Sequence, residues 1–405
     1  MTIDHGGTPA PPQDPGIPPT RRPRRAARVA ILIAVAFAGV GVAGTLLDPS
    51  GGGPIRAGLV PVPTSAPHGS AESPRPGRGD RGYLTSLTEL AERAEAAGNG
   101  REPDRAAVDD LLTWAATAVD SRPRPVKRLR IDGDEDSFVD DTATAYGLAL
   151  AYGITGERAY AEASRQFIMA WVETMGETRN ACPDSGACQT SLIISRTAPG
   201  VVFAADLIGP SGVLSADDDS AIRIWLRGLI LPTASELTNN WGDAGTFMRV
   251  VLTDYLGDQA GFAAALDTWR SLTDLIEADG HIPEEVDRGR AGMGYTQEAL
   301  DYKVAVARIA ERRGIDLWTY LGTRGGSVGG AVDYLASFWD RPKDWPWNRR
   351  ARTPVPGPFW EIAYARWRNR SYEPIIEQRR PYGSQGHSAI RWTTLTSGIS
   401  FQDEP

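Results

Sequence analysis

Between Asn239 and Leu300 the chain gathers groups suited to one kind of chemistry. Asn239-Asn240-Trp241-Gly242 comes first, then Asp279-Gly280-His281-Ile282-Pro283-Glu284-Glu285-Val286-Asp287-Arg288-Gly289, then Gly294-Tyr295-Thr296-Gln297-Glu298-Ala299-Leu300. Two amides, a guanidinium and a phenol, each beside a turn signal, are what is needed to hold an acidic sugar and remove the proton beside its carboxylate. A phenol with its ordinary pKa near ~10 is a poor base at neutral pH. A guanidinium close by favours the phenolate and makes an Arg–Tyr pair a candidate general base. Tyr295 also falls on the apolar stripe of its helix, so a core tyrosine with a satisfied hydroxyl stays open beside the catalytic reading. Asn239 and Asn240 carry the same ambiguity. An Asn-rich helix N-cap is one reading; an amide that donates to a substrate carboxylate and stabilises the enolate-like charge of proton loss is the other.

Other reactive residues are less convergent. Glu284, Glu285, Asp287, Asp301 and Glu311 could supply a carboxylate pair for glycoside hydrolysis, although a charge run after a turn is more often a solvated face. His281 and His387 could each serve as acid or base, but no histidine pair stands at metal-binding spacing. No nucleophile elbow, phosphate-cradling Gly loop or dinucleotide fingerprint is present. The 12 tryptophans suit sugar stacking, though helical spacing assigns several to cores.

The elements that must position these groups are helical. Leu84–Ala97, Ala106–Val119, Asp140–Tyr152 and Tyr160–Trp171 read as the first four helices, the last pair joined by Gly153-Ile154-Thr155-Gly156. Leu192–Leu207 follows, interrupted at Pro199-Gly200. Ser215 with Asp218 resembles a capping box ahead of a stripe of Ile222, Trp225, Leu226 and Leu229. Leu266, Trp269, Leu272 and Ile276 mark another helix; Tyr295, Ala299, Tyr302, Val306 and Ile309 mark the next, stopped by Gly314. Short turns and the lack of long period-2 segments point to an all-α domain whose helix pairs stack into a solenoid or close into a toroid. Beyond Arg350 the character shifts to Pro, Trp and Arg, and Arg379–Phe401 reads as an extended lid or wrap within the same domain.

Composition bounds the rest. The 405 residues, 41% hydrophobic and 23% charged, suffice for a sizeable core. A net charge of -8 argues against nucleic acid, while a local Arg cleft for an acidic substrate remains compatible with it. Residues 1–28 form a basic tail expected to be disordered and cytoplasmic; Arg21, Arg22, Arg24, Arg25 and Arg28 precede an uncharged run from Val29 to Leu47. That run matches a hydrocarbon core roughly 30 Å thick and reads as a transmembrane anchor. A cleaved signal peptide competes, and the double arginines hint weakly at twin-arginine export; in every case the remainder is exported. Residues 48–80 read as a Pro/Gly/Ser-rich linker, and 81–405 as the globular domain. Cys182 and Cys188, the only cysteines, read as a local disulfide rather than a zinc site.

The constellation Asn239-Asn240-Trp241, Asp279-Gly280-x-x-Pro283-x-Glu285, Arg288-Gly289 and Gly294-Tyr295 through Ala299-Leu300 resembles the alginate lyase family over roughly residues 105–320. The resemblance implies an (α/α)n incomplete toroid of helical hairpins and β-elimination on a uronate polymer without metal or organic cofactor. It puts the family's site Asn on Asn240, its Arg on Arg288 and its Tyr on Tyr295, the catalytic set. Asn239, Trp241, Arg196, His281 and Glu285 are the expected substrate contacts. One position departs: the family has histidine where Trp241 stands. Tyr295 is then left as sole base and acid, which suits syn elimination on mannuronate or glucuronate and disfavours guluronate. His281 or His387 could instead replace the missing group. Alternatives from other classes are a catalytically silent glycan-binding surface protein and a two-carboxylate glycoside hydrolase on a similar toroid.

Overall fold

A computed structural model describes residues 81–129, 135–178 and 189–402. The basic tail, the 29–47 anchor, the 48–80 linker and the Cys182–Cys188 pair all lie outside the described residues. The chain begins with two helices, α1 (Leu87–Gly98) and α2 (Asp104–Ala118), followed by α3 (Glu135–Thr155) and α4 (Arg158–Thr174). Next come α5 (Gln189–Thr197), α6 (Pro199–Ile208) and α7 (Ala216–Trp225), then α8 (Asn240–Leu256) and α9 (Gln259–Thr273). A short α10 (Pro283–Val286) leads into α11 (Gly292–Arg312) and α12 (Val328–Ser337); α13 (Phe359–Trp367), α14 (Glu373–Glu377) and α15 (Thr393–Ser397) complete the series. Strand content among the described residues is one two-residue parallel pair, Arg128–Leu129 beside Glu177–Thr178.

Local chemistry sets these boundaries. Ser86 and Glu89 form a reciprocal capping box, so α1 starts at Leu87 and not at Leu84 as apolar spacing suggests. The expected box at Ser215 and Asp218 is present. Pro199 ends α5 and opens α6 at its first turn, where a missing N–H costs nothing. The stretch Gln189–Ser211 is long and apolar enough to cross a membrane, but 83% of its most apolar window is buried inside the fold, so it is a core element.

Hairpin partners pack side by side (α1 on α2, α3 on α4, α8 on α9, α11 on α12), and one member of each hands on to the next: α3 to α5 and α6, these to α8, α8 to α11, α11 to α13. The circuit closes because α15 packs on α13, α1 and α2. The helical pairing expected from the sequence is therefore realised as an all-α toroid. Its bore is filled by aromatic rings in edge and tilted contact: Tyr83, Phe203, Tyr146, Phe247, Tyr302 and Trp392. The segment read as a lid or wrap is a buried strap: Thr393 and Thr394 are inaccessible, and Arg380 makes a two-pronged ion pair at 2.9 Å with the buried Glu361 of α13.

Candidate active site

The first turn of α8, the α10–α11 junction and the last turn of α5 bring the sequence-selected groups to one end of the toroid. Asn239 is the N-cap of α8, its side-chain oxygen accepting the Trp241 N–H at 3.0 Å. Asn240 is then the first helical residue and is completely buried. Gly242 makes this placement possible: a Cβ there would lie 1.6 Å from the Leu237 carbonyl oxygen. Trp241 is half-buried and packs against the hydrophobic core.

The Asn240 N–H would be an orphan of the helix start. It donates instead to Glu285 Oε1 at 2.5 Å, across from α10. Glu285 is fully inaccessible, and burial pushes its carboxyl up to about 8; the Asn240 N–H and the Arg288 charge oppose that shift, and Asp243 and Glu298 add to it. At neutral pH this group is mostly a neutral acid. Among the described residues neither side-chain atom of Asn240 nor Glu285 Oε2 has a hydrogen-bond partner. Leaving buried donors and acceptors unpaired costs about 1–3 kcal/mol each, so these atoms call for an explanation beyond packing.

Arg288 and Tyr295 are fixed by how α11 begins. Gly289 takes a left-handed φ of 62°, and a Cβ on Gly292 would stand 2.8 Å from the Val286 carbonyl oxygen, so the α10 end and the α11 start are in close contact. Arg288 is exposed, and its guanidinium carbon lies 4.4 Å from the ring centroid of the half-buried Tyr295. No hydrogen bond to the Tyr295 hydroxyl occurs among the described residues, so the guanidinium acts through the ring face.

Along the same face of α11, Glu298 and Tyr302 follow Tyr295 at spacings of three and seven. Arg196, on the last turn of α5, reaches Glu298 Oε1 at 3.1 Å, while its Nε lacks a partner among the described residues. Burial pushes the Tyr302 hydroxyl well up, and Arg196, in hydrogen-bond contact with it, pulls the other way. The strap supplies a further cation here. Ala389 N–H donates to the Arg196 carbonyl at 2.7 Å, and the buried Arg391 donates to Ser388 O at 2.8 Å and Gly386 O at 2.5 Å. Burial, reinforced by the nearby charges of Arg379 and Arg196, pushes Arg391 down to about 10. Arg391 thus stands near both Arg196, which touches Tyr302, and Arg379. Glu298 and Tyr302 were legible as helical neighbours of Tyr295; nothing in the sequence tied Arg391 to Arg196.

Other expected residues go elsewhere. His281 Nδ1 is 2.6 Å from Asp279 Oδ1, and its ring lies 4.6 Å from Trp347, so its immediate partners are those two and not Tyr295. His387 is exposed on the strap. Of the carboxylates considered as a hydrolytic pair, Glu284 and Asp287 are exposed, Asp301 accepts the Phe359 N–H, and Glu311 pairs with Arg308 near the far end of α11. Only Glu285 joins the Tyr295 group. A cavity of 1160 Å3 lined by Arg93, Arg308, Glu311 and Trp318 also belongs to that far end, roughly 20 Å from Tyr295 at about 1.5 Å per residue along α11. Among the described residues no group of three or more His, Cys, Asp or Glu could hold a metal ion.

Comparison with known proteins agrees with this fold. A family model described as Alginate lyase matches residues 101–345. An alginate lyase from Bacteroides ovatus shares the fold with a TM-score of 0.61 at 18% identity, over 79% of this chain and 99% of the other. Alginate lyase A1-III from Sphingomonas species A1 gives 0.63 at 17% identity, over 80% of this chain and 97% of the other. A histidine-to-alanine variant of alginate lyase A1-III complexed with tetrasaccharide gives 0.63 at 16% identity, over 79% and 96%. No curated protein matches the sequence significantly.

Proposed function

The chain belongs to the alginate lyase family and is a polysaccharide lyase, and on that premise we propose that it cleaves alginate or a related mannuronate- or glucuronate-containing polymer by syn β-elimination, with Tyr295 as both base and acid. The observation that supports this reading most directly is the pairing of Arg288 with the face of Tyr295, together with the unpartnered amide of Asn240, whose backbone N–H donates to Glu285.

In the proposed reaction the first turn of α8 shifts to uncover the Asn240 side-chain amide and Glu285 Oε2, both inaccessible in this structure, and the substrate carboxylate accepts from the amide and from the neutral carboxyl. Those donors draw electron density from the carboxylate as the neighbouring carbon loses its proton, which is where charge develops. Acting as the phenolate, Tyr295, with the Arg288 guanidinium over its ring face, takes the C5 proton. The C5–H electron pair becomes the C4–C5 double bond, the C4–O4 bond breaks, and the phenol returns its proton to the departing O4. Base and acid are one group, so proton and leaving oxygen lie on the same face of the ring. Arg196, Arg379 and Arg391 supply positive potential for neighbouring uronates in a chain that is acidic as a whole. The same reading keeps the enzyme outside the cytoplasm, anchored through residues 29–47 or released from them, where a polymeric substrate would be met.

The test uses residues 81–405 with polymannuronate, polyguluronate, glucuronan and a neutral glucan, following the ultraviolet absorbance of the unsaturated uronate product. Signal on polymannuronate or glucuronan is expected. A flat trace on every uronate polymer, from protein with a folded circular-dichroism spectrum, overturns the reading.

A further inference from the structure

The segment after α12 turns back across the α10–α11 junction. Asn348 Nδ2 would stand 3.8 Å from a Cβ on Gly289, Trp345 Nε1 3.3 Å from one on Gly292, and Pro354 3.9 Å from one on Gly294. Asn348 thus lies against Gly289, so Trp347, Arg349 and Arg350 follow the chain past the junction that carries Arg288 and Arg290. All five side chains are exposed, Trp347 at 43%, one of few large apolar residues so open to solvent. Trp347 is nevertheless held in place: its Nε1 donates to the Tyr334 hydroxyl at 3.0 Å, and the His281 ring lies 4.6 Å away. None of the four arginines makes an ion pair among the described residues, although most other arginines in the fold do. In a chain of net charge -8, unpaired arginines grouped around an immobilised indole are a local inversion of charge.

We propose that Trp347 with Arg290, Arg349 and Arg350 forms a binding rim for uronate units of the polymer outside the unit being cleaved. This rests on the polysaccharide-lyase reading above and extends it to substrate length. The indole face takes the apolar face of a sugar ring, and the arginines pair with carboxylates of adjoining units. Arg is suited to this because its planar fork matches a carboxylate. Such solvent-exposed contacts are individually weak, and screening by salt weakens them further. The rim therefore acts by summing over several units, and it favours long anionic chains over short ones.

The experiment compares the wild type with Trp347→Ala and with Arg349→Ala/Arg350→Ala, in two readouts. In native gels cast with polymannuronate, wild-type migration should be retarded, and the variants should lose most of that retardation. In turnover assays the variants' KM for the polymer should rise about tenfold, while kcat on a tetrasaccharide stays within about twofold, as two or three weak contacts imply. Trp347→Phe should restore most of the retardation, separating stacking from misfolding. Equal retardation of wild type and variants overturns the proposal. So does retention of the wild type by anionic phospholipid vesicles with none by the polymer gel, which would make the rim a membrane contact. The gel reads binding without turnover, so an enzyme silent on every polymer but retarded through Trp347 would sink the catalytic reading and leave the rim standing.

Discussion

The Arg288 guanidinium carbon stands 4.4 Å from the centre of the Tyr295 ring, over its face and not at its hydroxyl. A phenolate spreads its charge into the ring, so a cation over the face binds the deprotonated form more strongly than the neutral one. The hydroxyl stays available to substrate throughout. Tyr295→Phe should therefore lower kcat by about 10^2–10^4, the usual worth of a positioned acid–base group, with little change in affinity. Single-turnover rates and isothermal titration with a uronate tetrasaccharide separate the two. Unchanged turnover would remove Tyr295 from the mechanism.

The same geometry distinguishes charge from shape at position 288. Arg288→Lys keeps a cation but not the flat, weakly hydrated face that lies over the ring. Arg288→Ala removes both. Turnover should fall in the order wild type, Lys, Ala, with the Ala variant down by roughly 10^2, and melting temperatures should barely move because the side chain is exposed. A Lys variant as active as the wild type would mean that only net charge matters there.

Glu285 makes stability depend on pH. Its folded pKa of about 8 lies above the ordinary unfolded value of about 4.3 for a glutamate. Between those limits the folded state holds the proton that the unfolded state has lost, so stability falls as pH rises from about 4 to about 8 and levels off above. The full penalty is on the order of 5 kcal/mol at about 1.4 kcal/mol per unit. Glu285→Gln cannot ionise. Urea titrations at several pH values should show it losing less stability than the wild type across that window. Parallel curves would mean that Glu285 is ionised in the native protein.

Much of the scaffold was legible because its helices carry strong local signals. Ser215 and Asp218 cap α7 as their spacing demands, and the Leu266–Trp269–Leu272 stripe is buried as helical periodicity requires. Leu84 was misassigned to α1 because apolar spacing cannot separate a helix residue from one buried in the toroid by the segment ahead of it; the Ser86–Glu89 box decides. Within the site, Asn240, Arg288, Tyr295 and Glu285 lie in one sequence stretch and were found together. Arg391 approaches Arg196 only through the path of the strap, pinned by the Ala389 N–H to the Arg196 carbonyl, and no local pattern encodes that closure. Asn239 illustrates an ambiguity resolved by geometry, since its side-chain oxygen is engaged by the Trp241 N–H.

Behind the site, Lys303 Nζ and Asp243 Oδ1 form a buried ion pair at 2.7 Å that ties α11 to α8 one turn below Asn240. Removing one partner leaves the other charge buried and uncompensated, a loss of about 3–5 kcal/mol. Lys303→Met should lower the unfolding free energy by that amount, and adding Asp243→Leu should recover part of it by removing the stranded carboxyl. Denaturant titration of both variants checks this, and additive losses in the double variant would show that the two groups are not coupled.

Trp241 sets the last prediction because it occupies the position where the resemblance calls for histidine. The indole is half-buried against the core and has no basic nitrogen, so it cannot take a proton from the ring face opposite Tyr295. A guluronate unit presents its C5 proton for anti elimination and needs a base on that opposite face. The wild type should therefore turn over polymannuronate or glucuronan and leave polyguluronate intact. Trp241→His places an imidazole with an ordinary pKa near ~6.5 at the same helix start. Its turnover of polyguluronate should rise at least about tenfold above the wild-type background, within reach of a general base that contributes about 10^2–10^4 when well placed. The smaller ring should also lower the melting temperature, since part of the indole's contact with the core is lost. Polyguluronate cleavage by the wild type would show that the opposite-face base is already supplied elsewhere. A folded Trp241→His variant that remains inert on polyguluronate would mean that position 241 does not choose between the two epimers.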